Sequence, residues 1–277
     1  MSILDPKPYG DLEDINLNYI ERIQDQSREP LTTVVGIKSN SGIVLASDSQ
    51  WTSSIKNYSS KLFGINRWVG LGASGTRPYI RILVKSLEQK LRTDDLTTEE
   101  GFRDRVDVIL AQLFRERVTN RSTELGYFRV ADLFDATALL GARLSSGNYA
   151  LFRLSLAPPD PVVEIVDDYS AIGTGMSFAH LLLRQQTRAW LTSGQSIANA
   201  NFDANVWLGA LVINEIKTFD KYTSGNTRVA VIDGNGFVEY TRKQLVEKYE
   251  AGTNWVVSIA ESFGVDREVA RSIFPEL

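Results

Sequence analysis

Beyond residue 31 the apolar residues fall into blocks whose period alternates between two and about 3.6. Thr33 to Lys38 (TVVGIK) and Gly42 to Ser47 (GIVLAS) are β-branched, apolar runs separated by Ser39-Asn40-Ser41, which predicts a hairpin. The runs Lys61 to Ile65 and Trp68 to Ala73 extend the same sheet. Helical spacing then takes over at Ile80, Leu83, Val84, Leu87 and Leu91. Thr97, with Glu100 three residues on, predicts a capping box for a second helix whose apolar face is Phe102, Val106, Ile109, Leu110 and Leu113. Strands return at Thr137 to Leu144 and Tyr149 to Leu154, joined by Ser145 to Asn148. Val162 to Val166, after Pro158-Pro159, and a run ending at Ile172 complete that group. Two helices follow, Ser177 to about Thr192, stopped by Gly194, and roughly Ala204 to Phe219. A hairpin around Asp233-Gly234-Asn235-Gly236 joins Arg228 to Ile232 with Phe237 to Tyr240, and the chain from Thr241 onward reads as helical.

Strands cluster with strands, and helices with helices in pairs. That order disfavours alternating βαβ units and predicts an α+β fold: a four-layer αββα sandwich of antiparallel sheets covered by helix pairs. No repeat, low-complexity tract or linker divides residues 32–277, which are expected to form one domain. Residues 1–31 differ in texture. They hold three prolines and the apolar residues Ile15, Leu17, Ile20 and Ile23 without a sustained period, as expected of a leader.

Composition closes off many chemistries. The chain has no Cys and one His, which excludes disulfides, Cys-ligated metals, a cysteine nucleophile and a multi-histidine metal site within one chain. Any Ser–His–Asp triad would have to use His180, which sits in the apolar helical stretch Phe178 to Leu183 and reads as a packed or surface helix residue. The net charge is −4, and all of it is carried by residues 1–31, with seven acidic and three basic side chains. The remainder is formally neutral, so neither nucleic acid nor an anionic membrane is expected as a partner. No apolar run approaches a membrane span, and no basic segment precedes an apolar one at the N-terminus; a cytoplasmic protein is expected. Ser53-Ser54-Ile55-Lys56 matches S-x-x-K without its companion motifs. Gly72-Ala73-Ser74-Gly75 lacks the second glycine of a nucleophile elbow, and Gly173-Thr174-Gly175 lacks the third glycine of a dinucleotide loop.

One hydrolytic chemistry needs neither Cys nor His. A threonine at a chain's own N-terminus carries a hydroxyl nucleophile and a free α-amine whose ordinary pKa, about 8, suits it to accept the hydroxyl proton. Such a residue must be exposed by removal of a leader, and Thr32-Thr33 follows residues 1–31. Here the chain resembles the proteasome β-subunit and HslV-type family of N-terminal-nucleophile (Ntn) hydrolases. Thr32-Thr33-Val34-Val35-Gly36-Ile37 is similar to the T-T-x-V-G-I start of mature β subunits, and Asp48 follows Thr32 by 16 residues in Leu45-Ala46-Ser47-Asp48. Thr52 keeps the family's spacing, Lys61-Leu62-Phe63 resembles K-K-L/V-F, and Gly75 stands 14 residues after Lys61. Ile172-Gly173-Thr174-Gly175 resembles the family's G-S-G, and Asp220-Lys221-Tyr222-Thr223-Ser224-Gly225 its D-x-x-S/T-G-G. Asp48-Ser49-Gln50-Trp51-Thr52 is closer to the D-G-Q-x-T of the HslV-type relative, and Leu31 stands where most processed β subunits have glycine.

The resemblance implies a self-processed threonine endopeptidase with no cofactor and no metal in its chemistry. Thr32 would be the nucleophile, Lys61 the ammonium beside its hydroxyl, Asp48 the partner of that lysine, and the Gly75 N–H the oxyanion donor. Thr174, Asp220 and Thr223 would surround the amine. Thr52 would bind the substrate backbone as an added strand, and Trp51, Phe63, Ala73, Arg77 and Arg81 would lie near the side chain before the cleaved bond. Arg77 and Arg81 would there favour acidic substrates. Implied partners are polypeptide substrates, further copies or related chains in a ring, and an ATP-driven unfoldase. Two alternatives stay open: a catalytically silent ring subunit that keeps its leader, and a transpeptidase or amidase on the same scaffold.

Overall fold

The computed structural model describes residues 32–51, 57–58, 60–93, 96–120, 136–156, 160–192, 196–263 and 265–272. The leader, Thr52, Pro158-Pro159 and Gly194 lie outside them. In chain order the strands are β1 (Thr33–Ser39), β2 (Gly42–Ser47), β3 (Gln50–Trp51), β4 (Asn57–Tyr58), β5 (Leu62–Asn66) and β6 (Val69–Gly75), then β7 (Ala136–Arg143), β8 (Tyr149–Ser155), β9 (Val162–Val166), β10 (Tyr169–Gly173), β11 (Arg228–Asp233) and β12 (Gly236–Glu239). Two helices follow β6, α1 (Arg77–Lys90) and α2 (Glu99–Phe114), and two follow β10, α3 (Met176–Thr192) and α4 (Phe202–Phe219). After β12 come α5 (Arg242–Ser262) and the short α6 (Arg267–Ser272).

The strands form two five-stranded antiparallel sheets, one in the order β10-β1-β2-β11-β12 and the other β5-β6-β7-β8-β9. The period-two pattern explains how they stack. Along β1, Val35 and Ile37 face one apolar cluster and Val34 the other; along β2, Val44 and Ala46 face the first cluster, Ile43 and Leu45 the second. The first cluster packs the sheet onto α3, α4 and α5, and the second lies between the sheets, where Leu139 and Leu151 of the other sheet meet it. A third cluster holds the alternate residues Ala136, Ala138, Leu140 and Ala142 of β7 against α1 and α2. The expected αββα sandwich is therefore the observed one.

Helix α4 lies under the first sheet with every residue from Ala204 to Ile213 buried, because sheet and α5 cover it on opposite sides. A Cβ at Gly252 of α5 would stand 2.3 Å from Trp207 Cβ, so glycine there lets the two helices approach. Two details depart from the sequence expectation. The cap of α2 is Thr98, not Thr97: the Thr98 side chain accepts from Gly101 N, and the acids of the first turn are Glu99 and Glu100. The two-residue strands β3 and β4 pair as a separate hairpin too short to show a period. By contrast Thr241 opens α5 with a full capping box, closed by Gln244.

Candidate active site

Three chain segments end at the same edge of the sandwich, and each delivers one polar side chain into the space between the sheets. Thr32 stands one residue before β1, Asp48 one residue after its hairpin partner β2, and Lys61 one residue before β5 of the facing sheet. The register Val34↔Ser47 sets the first two side by side. Main-chain pairing of Ala73 N with Lys61 O at 3.0 Å fixes the third. All three are buried, Asp48 and Lys61 completely and Thr32 with 2% of its surface exposed.

The Lys61 ammonium donates to both Asp48 carboxylate oxygens, at 2.9 Å each, and to Thr32 Oγ1. Thr32 Oγ1 in turn donates to Asp48 Oδ1. The carboxylate also accepts from Thr33 N and Gln50 N, each at 3.1 Å, and from Ser224 N at 3.4 Å. A buried ion pair is stable only when its remaining lone pairs are satisfied, and these main-chain donors satisfy Asp48. Burial pushes the Lys61 pKa down to about 8, against the opposing pull of the Asp48 charge and hydrogen bond. The ammonium still predominates at neutral pH, yet its proton is within reach of ordinary conditions.

A second set of hydrogen bonds lies beside the first. Thr33 follows Thr32, and alternation along the strand turns its side chain to the opposite face, toward the start of α3. Gly175 N donates to Thr33 Oγ1 at 3.1 Å. Thr33 and Thr223 hydroxyls are 2.8 Å apart, and since Thr223 donates to Asp220 Oδ2 at 2.8 Å, Thr33 is the donor between them. Thr174 Oγ1 donates to the same oxygen at 2.7 Å, and Tyr222 N donates to Asp220 Oδ1 at 3.0 Å. Thr174 N holds the Thr32 carbonyl at 2.9 Å. The neighbouring Gly173 has φ +93°, and a Cβ there would sit 1.8 Å from Thr32 O, so only glycine permits this approach.

The structure thus brings together Thr32, Asp48 and Lys61, and separately Thr174, Asp220 and Thr223, joined to the first set through Thr33 and the Thr32 carbonyl. Gly75 ends β6 at φ +139°, opposite Ala136. Its neighbour Ser74 has Oγ 3.1 Å from the Cβ position at Gly173, so this strand end abuts the anchored carbonyl. The residues expected around the substrate side chain are less unified. Ala73 is fully buried in the cluster under α1 and so lines no open space. Arg77 is the first residue of α1 and partly exposed, Arg81 is exposed one turn on, and Phe63 packs partly buried on β5. Trp51 pairs with Asn57 through the backbone of the small hairpin. Thr52 lies outside the described residues. His180 stands on α3 with its ring 6.2 Å from that of Tyr169, and burial followed by the Arg153 charge lowers its pKa.

Sequence reasoning missed Thr33 as a link, the main-chain donors to Asp48 and the role of Gly173. Only Thr33 had a readable signal, its place one residue after Thr32 on a strand. Among the described residues no group of three His, Asp or Glu is placed to hold a metal, and no helix is long and apolar enough to cross a membrane.

Residues 31–133 match the proteasome subunit family. The chain is 30% identical over 147 residues to the proteasome subunit alpha of Methanosphaerula palustris, covering 52% of this chain and 55% of that protein. With the proteasome subunit alpha of Methanobrevibacter smithii it shares 28% identity over 203 residues, 73% of this chain and 72% of that one. The chain thus spans about half the length of the first relative. Both relatives are named alpha subunits, whereas the site motifs resemble the β and HslV type.

Proposed function

We propose that this protein is a threonine endopeptidase of the proteasome type, made with residues 1–31 as a removable leader and working in the cytoplasm as part of a ring-shaped oligomer. The observation that carries the proposal is the Lys61 ammonium bonded at once to Thr32 Oγ1 and to both oxygens of a fully buried Asp48. A lysine is kept in such a place at the expense of its hydration, and its use is to stabilise the alkoxide character of the hydroxyl it touches.

In the uncut chain the Thr32 nitrogen is an amide and has no lone pair to act as a base. The neutral fraction of Lys61, supplied by a pKa near 8, takes the hydroxyl proton in the first cut. Oγ1 attacks the Leu31 carbonyl, the peptide bond to Thr32 N breaks as an ester forms, and water hydrolyses that ester. The leader leaves as a carboxylate, and Thr32 gains a free amine. From then on the amine accepts the hydroxyl proton as Oγ1 adds to a substrate carbonyl, and it delivers that proton to the departing amine. Water then releases the acyl group. The Gly75 N–H supports the oxyanion, a donor commonly worth about 3 kcal/mol in the transition state. Proteasome-family subunits form rings, and enclosing the site in one would restrict it to unfolded polypeptides, supplied by an ATP-driven unfoldase.

A second reading, a silent ring subunit, is favoured by the alpha names of both relatives and by Leu31 at the cut. N-terminal sequencing and intact mass of the purified protein, beside Thr32→Ala, separate the two. The peptidase reading expects wild-type chains that begin at Thr32 and cleave fluorogenic peptides, with T32A chains that begin at Met1 and do not. Wild-type chains that keep Met1 and cleave nothing would establish the silent subunit.

A further inference from the structure

Behind the Asp48 carboxylate lies a cavity of 320 Å³ that the peptidase chemistry does not use. It sits where the last turns of α4, the entry to β11 and the start of α5 meet. Lys217 comes from α4, Arg228 from β11 and Arg242 from α5, and the other polar groups on its wall include Asn214, Asn226 and Tyr240. Three cationic side chains thus border one cavity whose lining contains no carboxylate.

We propose that this cavity binds a phosphate group, as a free dianion or a small phosphate monoester. Like charges brought together in a fold repel unless something answers them, and here little does. Among the described residues Arg228 gives Nη1 to Glu239, at 3.5 Å, and its buried Nε has no hydrogen-bond partner. Glu239 is also engaged by Ser60 Oγ at 3.0 Å. Lys217 donates to Thr227 Oγ1, a neutral acceptor, and burial pushes its pKa down to about 8, against the upward pull of the Asp48 charge. Arg242 is exposed at the first position of α5, a 21-residue helix whose N-terminal dipole adds to the positive field. Asn214, Asn226 and Tyr240 add groups able to donate hydrogen bonds to a tetrahedral dianion. The volume exceeds that of phosphate alone and lies at the lower end of ordinary small-ligand pockets, leaving room for a short substituent.

The position gives binding a consequence, which rests on the peptidase reading. Residues Gly225 to Thr227 line the cavity, while the same segment engages the catalytic side through Ser224 N on Asp48 and Asn226 N on Ser49 Oγ at 2.9 Å. A bound phosphate braces the loop into β11 that supports the Asp48 carboxylate and so raises peptidase activity.

Isothermal titration calorimetry of the full purified protein, with inorganic phosphate, glycerol phosphate or acetate at matched ionic strength, tests the site without reference to catalysis. Saturable heat is expected from phosphate, from its monoester or from both, with acetate at least about tenfold weaker and with Arg242→Ala and Lys217→Met each weakening phosphate about tenfold. R242A alters an exposed residue, and a thermal melt of K217M checks its fold. No saturable heat, acetate binding as well as phosphate, or unchanged affinity in R242A would each overturn the site. Peptide turnover with and without phosphate then reads the brace: stimulation in wild type and its loss in R242A are expected. Binding without stimulation in an active particle overturns the brace alone, and an inactive particle that still binds phosphate counts against the peptidase reading and not against the site.

Discussion

Replacing Asp48 by Asn changes one atom and two charges' worth of electrostatics. The carboxylate accepts on both edges: Thr33 N, Thr32 Oγ1 and Lys61 on Oδ1, Gln50 N, Ser224 N and Lys61 on Oδ2. Whichever edge the new amide nitrogen takes, it meets donors. A buried group set against donors costs about 1–3 kcal/mol. Lys61 also loses its counter-charge and is expected to deprotonate. Holding a lysine neutral at pH 7 costs about 5 kcal/mol against its unfolded pKa of 10.5, whereas a pKa of about 8 already costs the wild type about 3. The increment is roughly 1–2 kcal/mol, and the total roughly 3–4 kcal/mol, or about 10 °C in melting temperature for a chain of this size. In the peptidase reading the same loss of ammonium removes the charge beside Thr32 Oγ1, so peptide turnover should fall by roughly 10²–10³-fold, whereas leader removal, which relies on neutral Lys61, should be spared that loss. Intact-mass time courses, turnover of a fluorogenic peptide and a thermal melt measure the three effects. Lys61→Met should lose as much activity, and the double variant no more than either single, because both changes remove one unit. D48N turnover within about threefold of wild type, or single losses that multiply in the double variant, would refute the reasoning.

Gly173→Ala places a Cβ 1.8 Å from the Thr32 carbonyl at φ +93°; expected are chains that fold with a lower melting temperature, by more than the roughly 1–2 kcal/mol of left-handed strain alone, and that retain the leader by mass. Thr223→Val breaks the hydroxyl chain between Thr33 and Asp220; a loss of about 1–3 kcal/mol by chemical denaturation is expected, with Thr223→Ser restoring most of it. Stability should depend on pH with a turning point. Lys61 and Lys217 have folded pKa values near 8 against 10.5 unfolded, so the unfolded chain binds more protons between those values and stability rises with pH from about 8. Tyr240 and Tyr249 are pushed up to about 12 by burial, so above pH 10 the folded chain holds the extra protons and stability falls again. A melting-temperature scan from pH 7 to 11 that shows no rise beyond pH 8 would contradict the lysine assignments. In the peptidase reading, the rate of leader removal should climb with pH to a plateau above about 8, followed by mass, because the uncut chain relies on neutral Lys61.

The helices were legible from their 3.6-residue period, and the strands from β-branched apolar runs bounded by turn residues. Val34 to Ile37 and Ile43 to Ala46 are continuously apolar because both faces are buried, so β-branched composition marked them as strands, and which face meets which layer came only with the fold. Thr97 and Thr98 are chemically equivalent as caps, and only the register of α2 on its sheet chooses between them. The β3–β4 hairpin is too short to carry a period at all. At the site, Thr32, Asp48 and Lys61 were found through spacing shared with a family, since no local pattern brings residues 29 apart into contact. Main-chain donors such as Gln50 N and Ser224 N leave no mark on side-chain identity. Lys217 was unreadable for a related reason: its burial comes from α5 and the β11 entry folding over it, elements separated from it along the chain.

The clasp on the Thr32 carbonyl has a mechanical meaning. Thr174 N and the bare backbone of Gly173 moor the residue on its downstream side, and Asp48 grips the next nitrogen. None of these fastenings involves the bond to Leu31. In the peptidase reading, severing that bond would leave the new chain end in a berth already built, with the attacking oxygen where it must be before it has ever met a substrate.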